Sequence, residues 1–276
     1  MLKERIASVL PEPFMRFQDE IRGRFALYRS DKRNFTSEKL MHLNDLDISS
    51  YYTDTSIEDA WKEDSARIGS IFGRGEYNLA VSPSCRRHIY YMTMGLKPSR
   101  VLEIGTNVGG STLYFASALK RLNDKSAITT VDIIDVNSDH GPWKNFGLDQ
   151  SPARFAEKLD LKNITFSMND SLRYLNNCSQ KFDLIFLDGD HSASGVYKEI
   201  SAALKLLNKD GIILLHDYYP NGKRLRANRG VIGGPYHAVE RIKRESPGMD
   251  VFPLGSIARN GIYSEPSSLA VLGRAA

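Results

Sequence analysis

Three short runs of this sequence hold residue types that can do chemistry. Asp188-Gly189-Asp190-His191 follows the apolar run Asp183–Leu187, and His216-Asp217-Tyr218 follows the apolar run Gly211–Leu215. Carboxylates where a buried run stops are not there for packing, because an unpaired charge near a core is costly. Asp188 and His191 are therefore expected to face a crevice. An imidazole that titrates near about 6.5 suits the removal of a hydroxyl proton. If the two apolar runs are neighbouring strands, Asp188 and Asp217 can share one ion. The third run, Val101 to Thr112, is a strand entering a glycine-rich turn (Gly105, Gly109, Gly110) and then a helix. Such a turn lets the backbone pass close to a ligand while the N–H groups of the helix face it, so something nucleotide-like should sit there. The dinucleotide pattern fails at Asn107, where it needs glycine, and a P-loop fails because no Gly-Lys-Ser/Thr follows.

Something must hold these runs in place. From Val101 onward, strand-length apolar segments (Arg100–Ile104, Ile128–Ile133, Ile164–Met168, Asp183–Leu187, Gly211–Leu215) alternate with helical periods (Thr112–Leu122, Pro152–Leu159, Val196–Leu207). Near-continuous apolar strands separated by helices are what a parallel sheet covered on both faces requires. Tyr236–Glu245 reads as a further helix, and Asp250–Leu254 and Ser268–Leu272 as final strands. The expectation is an α/β fold: a doubly wound, mostly parallel, seven-stranded sheet over residues 81–276, preceded by a helical extension over 1–80. Open sheets of this kind take ligands at the carboxyl ends of their strands.

The glycine loop, spelled Glu103-x-Gly105-x-x-x-Gly109-x-Ser111, resembles the first motif of class I S-adenosylmethionine-dependent methyltransferases, close to the catechol-type branch. The Asp-Gly-Asp-His turn followed by Leu-Leu-His-Asp-Tyr resembles a bacterial group that includes macrolide-sugar O-methyltransferases. The resemblance covers roughly residues 95–220 and implies the Rossmann-like methyltransferase fold. It implies that Glu103, Gly105, Thr106, Asn107, Gly109 and Ser111 cradle the methionine part of the cofactor. Asp132 would hold the ribose hydroxyls, Asn169 and Asp170 the adenine, and Asp188 the cofactor side of the cleft. It further implies His191 as the general base and a magnesium ion on Asp188 and Asp217, with His216 beside them. His216 and Tyr218 depart from the pattern, since relatives carry an acid or amide next to the second aspartate. Magnesium favours hard oxygens, which leaves two carboxylates as a thin ligand set. Consecutive strand residues also point to opposite faces, so His216 and Asp217 both bind only if the strand has already ended.

The reaction so implied is O-methylation of a small hydroxylated metabolite, a sugar or other natural product. N-methylation, a hydroxylase-like relative and a non-catalytic cofactor-binding protein are the alternatives; intact Asp188 and His191 argue against the last.

Composition bounds the partners. The chain has 276 residues, 41% hydrophobic and 25% charged, as a soluble globular protein does. A net charge of +4 is too mild to imply nucleic acid, and no stretch approaches the ~20 apolar residues of a membrane span. Two distant cysteines, Cys85 and Cys178, suit buried thiols in a reducing cytoplasm. The aromatics of the extension (Phe14, Phe17, Phe25, Tyr28, Tyr51, Tyr52) are too many for a free tail and should pack as a lid or a dimer arm, making the protein a homo-oligomer. The run Asn221–Arg229, with four cations in seven residues, reads as a surface loop or an anion clamp.

Overall fold

The computed structural model describes residues 21–72, 80–220, 223–224, 231–254 and 267–275. Its strands are β1 (Arg100–Ile104), β2 (Ala127–Asp132), β3 (Ile164–Met168), β4 (Phe182–Leu187), β5 (Leu207–Leu215), β6 (Lys223–Arg224), β7 (Val231–Ile232), β8 (Met249–Pro253) and β9 (Ala270–Arg274). Seven of them form one sheet in the order β3-β2-β1-β4-β5-β9-β8. The first five pair in parallel, while β9 runs antiparallel to both β5 and β8. The order reverses between β1 and β4, which puts the ligand crevice of such a sheet over their carboxyl ends.

Alternation along the central strands explains their unbroken apolar spelling. Val101, Leu184, Phe186 and Leu214 enter one core layer, and Leu102, Ile104, Ile185, Leu187, Ile213 and Leu215 enter the other. The first layer is covered by α1 (Ile48–Thr53), α2 (Thr55–Phe72), α3 (Pro83–Leu96), α4 (Thr112–Leu122) and α5 (Pro152–Lys158). The second is covered by α6 (Ser171–Asn177), α7 (Ala193–Leu204) and α8 (Gly234–Glu245), with Leu27 from helical residues 21–28.

The extension shares the core of the sheet. Ile57, Ile68 and Phe72 of α2 lie in the same cluster as Val101 and Phe186. Asp64 of α2, which is buried, accepts from Arg121 Nε and Nη2 of α4 at 2.6 and 2.8 Å and from Tyr90 Oη of α3 at 2.6 Å. Leu40 and His42 bridge to Gly211 of β5 and Arg274 of β9. Of the aromatics expected to pack, Tyr52 is buried and Tyr51 packs against the core, whereas Phe25 and Tyr28 are exposed; Phe14 and Phe17 lie outside the described residues.

Other expectations shift by a residue or two. Strand β2 stops at Asp132, so Ile133 stands exposed beyond it. Part of the basic run is the two-residue strand β6, paired antiparallel with β7; Asn221, Gly222 and 225–230 lie outside the described residues. Cys85 is buried as expected, but Cys178 is only half-buried, because it follows the surface helix α6.

Candidate active site

The glycine turn owes its shape to left-handed backbone at Gly105, Asn107 and Gly109, with φ of +103°, +47° and +80°. Glycine is obligatory at 105, because a Cβ there would sit 2.3 Å from the Asp188 carbonyl oxygen. The turn is thereby pressed onto the start of the Asp188–His191 run. Beneath it, the Glu103 carboxylate accepts from the hydroxyls of Ser111, Thr112 (2.5 Å) and Thr130 (2.6 Å), and Thr106 Oγ1 lies 2.6 Å from Thr130 Oγ1. Burial pushes Glu103 up to about 7 although the three hydroxyls pull it down. Glu103, Thr106 and Ser111 are buried. These three therefore brace the turn from behind, where direct cofactor contacts had been expected.

In front of the turn lies a cleft of about 610 Å³. Asp132, at the end of β2, lines it and also fixes the turn: Oδ2 accepts from the Asn107 N–H at 2.9 Å and Oδ1 from the Ile134 N–H at 3.2 Å. Each carboxylate oxygen keeps a second lone pair for a ligand hydroxyl. Asn169 and Asp170 line the far end after β3. The Asn169 N–H donates to the Asp132 carbonyl, and Asp170 caps α6 through Oδ1 on the Arg173 N–H. Ile133, exposed over the cleft, supplies an apolar wall that its reading as part of β2 concealed.

The other end of the cleft is ionisable. Asp188 and His191 both line it. His191 is not the helix cap: Ser192 caps α7, its Oγ accepting from the Gly195 N–H, which leaves the imidazole half-exposed to the cleft. Strand β5 has ended at Leu215, and Asp217 adopts a left-handed φ of +54°. That turn resolves the alternation problem, since His216 and Asp217 lie on the same side as Asp188. His216 Nδ1 is 2.8 Å from Asp188 Oδ1 and 3.4 Å from Asp217 Oδ1, and His191 Nδ1 is 3.6 Å from Asp217 Oδ2. Burial opposes charge on His216, yet the Asp188 carboxylate, with help from Cys85 and Asp217, holds its pKa well above the usual imidazole value. Burial likewise works against ionisation of the Cys85 thiol, but His216, Ser82 and Ser267 bring it down to about 7.

Asp188, His191 and Asp217 each offer a donor atom within 4.8 Å of the others. The set fits a divalent cation, and magnesium held by two carboxylates ordinarily keeps several waters. His216, expected among the ligands, instead turns Nδ1 onto the two carboxylates as their partner.

Residues 102–218 match the family described as "Methyltransferase domain". The matched residues hold the glycine turn and both ionisable turns of the site. Over 153 residues it is 29% identical to the rhamnosyl O-methyltransferase of Mycobacterium leprae, covering 55% of this chain and 62% of that one. It is 25% identical over 155 residues to the O-methyltransferase hkm8 of Aspergillus hancockii, covering 56% and 57%. The alignments thus span about six-tenths of the relatives' length. The methyltransferase fold itself recurs in TomG of Streptomyces achromogenes, an O-methyltransferase of tomaymycin synthesis solved with S-adenosylmethionine (TM-score 0.51, 16% identity, 75% of this chain and 90% of that one). It recurs also in the methyltransferase PaMTH1 of Podospora anserina (TM-score 0.50, 18% identity, 83% and 96%). Among the described residues no helix is long and apolar enough to cross a membrane.

Proposed function

We propose that this protein is a methyltransferase that moves the methyl group of S-adenosylmethionine onto a hydroxyl of a sugar or other small hydroxylated metabolite. The observation that carries this reading is the arrangement of one cleft, with Asp132 and the glycine turn at its middle and His191, beside Asp217, at its end. In that reading Asp132 binds the ribose hydroxyls, Asn169 and Asp170 flank the adenine, and the Gly105–Gly109 backbone faces the methionine part.

Methyl transfer from a sulfonium needs alignment and deprotonation more than covalent help. The acceptor oxygen attacks the methyl carbon, the carbon–sulfur bond breaks to leave a neutral thioether, and the hydroxyl proton passes to His191. Asp217 beside that imidazole favours the cation so formed. Asp188 and Asp217 would hold a divalent cation, which supplies polarisation of the acceptor oxygen when bound. His216 keeps Asp188 oriented.

Residues 1–80 serve in this reading as lid and oligomer arm, supported by the exposed Phe25 and Tyr28. Free cysteines support a cytoplasmic setting. The test is incubation with S-adenosylmethionine and a panel of glycosides, rhamnosides first because of the relatives' names, with product mass and S-adenosylhomocysteine release as readouts. Mass gain of one methylene on a hydroxyl supports the reading. Methylation of amines alone, or none across the panel with cofactor bound, contradicts it.

A further inference from the structure

Between the last ionisable turn and helix α8 the chain makes an excursion and comes back to the site. It leaves at Tyr218, is closed on itself where β6 pairs with β7, and returns at Gly234, the first residue of α8. The return is a contact of backbone on backbone. A Cβ at Gly234 would sit 2.0 Å from the His191 carbonyl oxygen and 2.7 Å from both the Ser192 carbonyl carbon and the Ala193 nitrogen. Not even a methyl group fits there, and because both walls are backbone neither can yield by turning a rotamer.

Two residues further on, the Tyr236 ring meets the Tyr218 ring edge to face, with centroids 5.6 Å apart, and Tyr218 directly follows Asp217. The first turn of α8 thus touches both runs that carry the ionisable groups, at the backbone of His191 and at the neighbour of Asp217. The helix is held along the rest of its length: Ala238, Val239 and Ile242 are fully buried, and Arg241 donates to the carbonyl oxygens of Leu27 and Ser30. The His191 side chain, 45% exposed, is the softer partner. A displacement at the contact therefore falls on the imidazole.

We propose that Gly234 and Tyr236 are positioning residues for the methyl transfer, Gly234 setting where the His191 imidazole stands and Tyr236 keeping Asp217 beside it. The proposal rests on the reading of His191 as the base. Neither residue lines the cleft, so each acts through the turn it touches. A reacting group about 1 Å out of place loses up to roughly 10²-fold in rate.

The first test needs no acceptor. In the full chain carrying ¹³C at histidine Cε1 and saturated with S-adenosylhomocysteine, the His191 signal is identified by its absence in His191→Ala. It should shift in Gly234→Ala and in Tyr236→Ala, with S-adenosylhomocysteine affinity by calorimetry held within about threefold. The second test is kcat with the glycoside that the panel above shows to be methylated. Each variant should lose roughly 10–100-fold, and Tyr236→Phe, which keeps the ring, should match wild type. In a His191→Ala background neither change should lower kcat further, because both act through that group. Should Gly234→Ala fail to fold, Tyr236→Ala carries the same readouts. A merely structural role would weaken cofactor binding or add its loss to that of His191→Ala, which overturns the proposal. An unmoved His191 signal with wild-type kcat in both α8 variants overturns it while sparing the base reading. Wild-type kcat in His191→Ala overturns both.

Discussion

His216 Nδ1 meets Asp188 Oδ1 at 2.8 Å across the ends of two adjacent strands, with 8% and 14% of the two side chains exposed. A buried pair of this kind is costly to break from one side, because the remaining charge is left without its partner. His216→Ala should therefore cost about 3 kcal/mol of stability. The folded-state pKa of His216 is raised, so the pair's contribution is complete below the unfolded imidazole value and is lost as pH rises through the folded value above it. Urea unfolding in chelator at a series of pH values from mildly acidic to mildly alkaline should show wild type losing stability along that rise while His216→Ala stays flat by comparison.

Asp132 does two jobs, holding the Asn107 N–H and facing the cleft. If Asp132 holds the ribose as proposed, Asp132→Ala should weaken S-adenosylhomocysteine binding by roughly 10–100-fold, since the ribose contacts and the loop anchor go together. Circular dichroism should show the fold intact. Unchanged affinity by calorimetry would move the ribose elsewhere.

Asp64, Arg121 and Tyr90 tie the extension to the sheet. Asp64→Ala leaves Arg121 without its two-point partner and should cost about 3 kcal/mol. A chain beginning at Ser82 should be insoluble or unfolded, because Ile57, Ile68 and Phe72 would no longer cover the first core layer. Soluble, fully active protein from that truncation would show the extension to be an appendage.

Chelation separates the cation from the base. With Asp188 and Asp217 as its holders, chelator should abolish turnover, added Mg²⁺ should restore it, and Asp217→Asn should resist restoration. Direct titration of Mg²⁺ into wild type and Asp217→Asn checks binding apart from activity. Undiminished turnover in chelator would leave deprotonation to His191 alone.

Much of this was legible in the chain. The strands β1 and β4 announced themselves because both of their faces are buried, and the acids that follow them had no packing reason to be there. Helix α3 gave no period, since residues from Ser84 through Thr93 are buried on nearly every side. The brace on Glu103 was hidden because its partners come from three places, Ser111, Thr112 and Thr130, that only the folded turn brings together. Asp217 could not be placed from spacing, because its side depends on a left-handed residue that a non-glycine spelling does not advertise.

The central claim is that His191 takes the acceptor proton in this cleft, and its most direct test is the turnover of His191→Ala with a methylated acceptor in hand and the cofactor saturating. General-base loss acts on the transition state, so kcat should fall by roughly 10²–10⁴-fold with S-adenosylhomocysteine affinity unchanged. A His191→Ala protein that turns over at the wild-type rate would contradict the account.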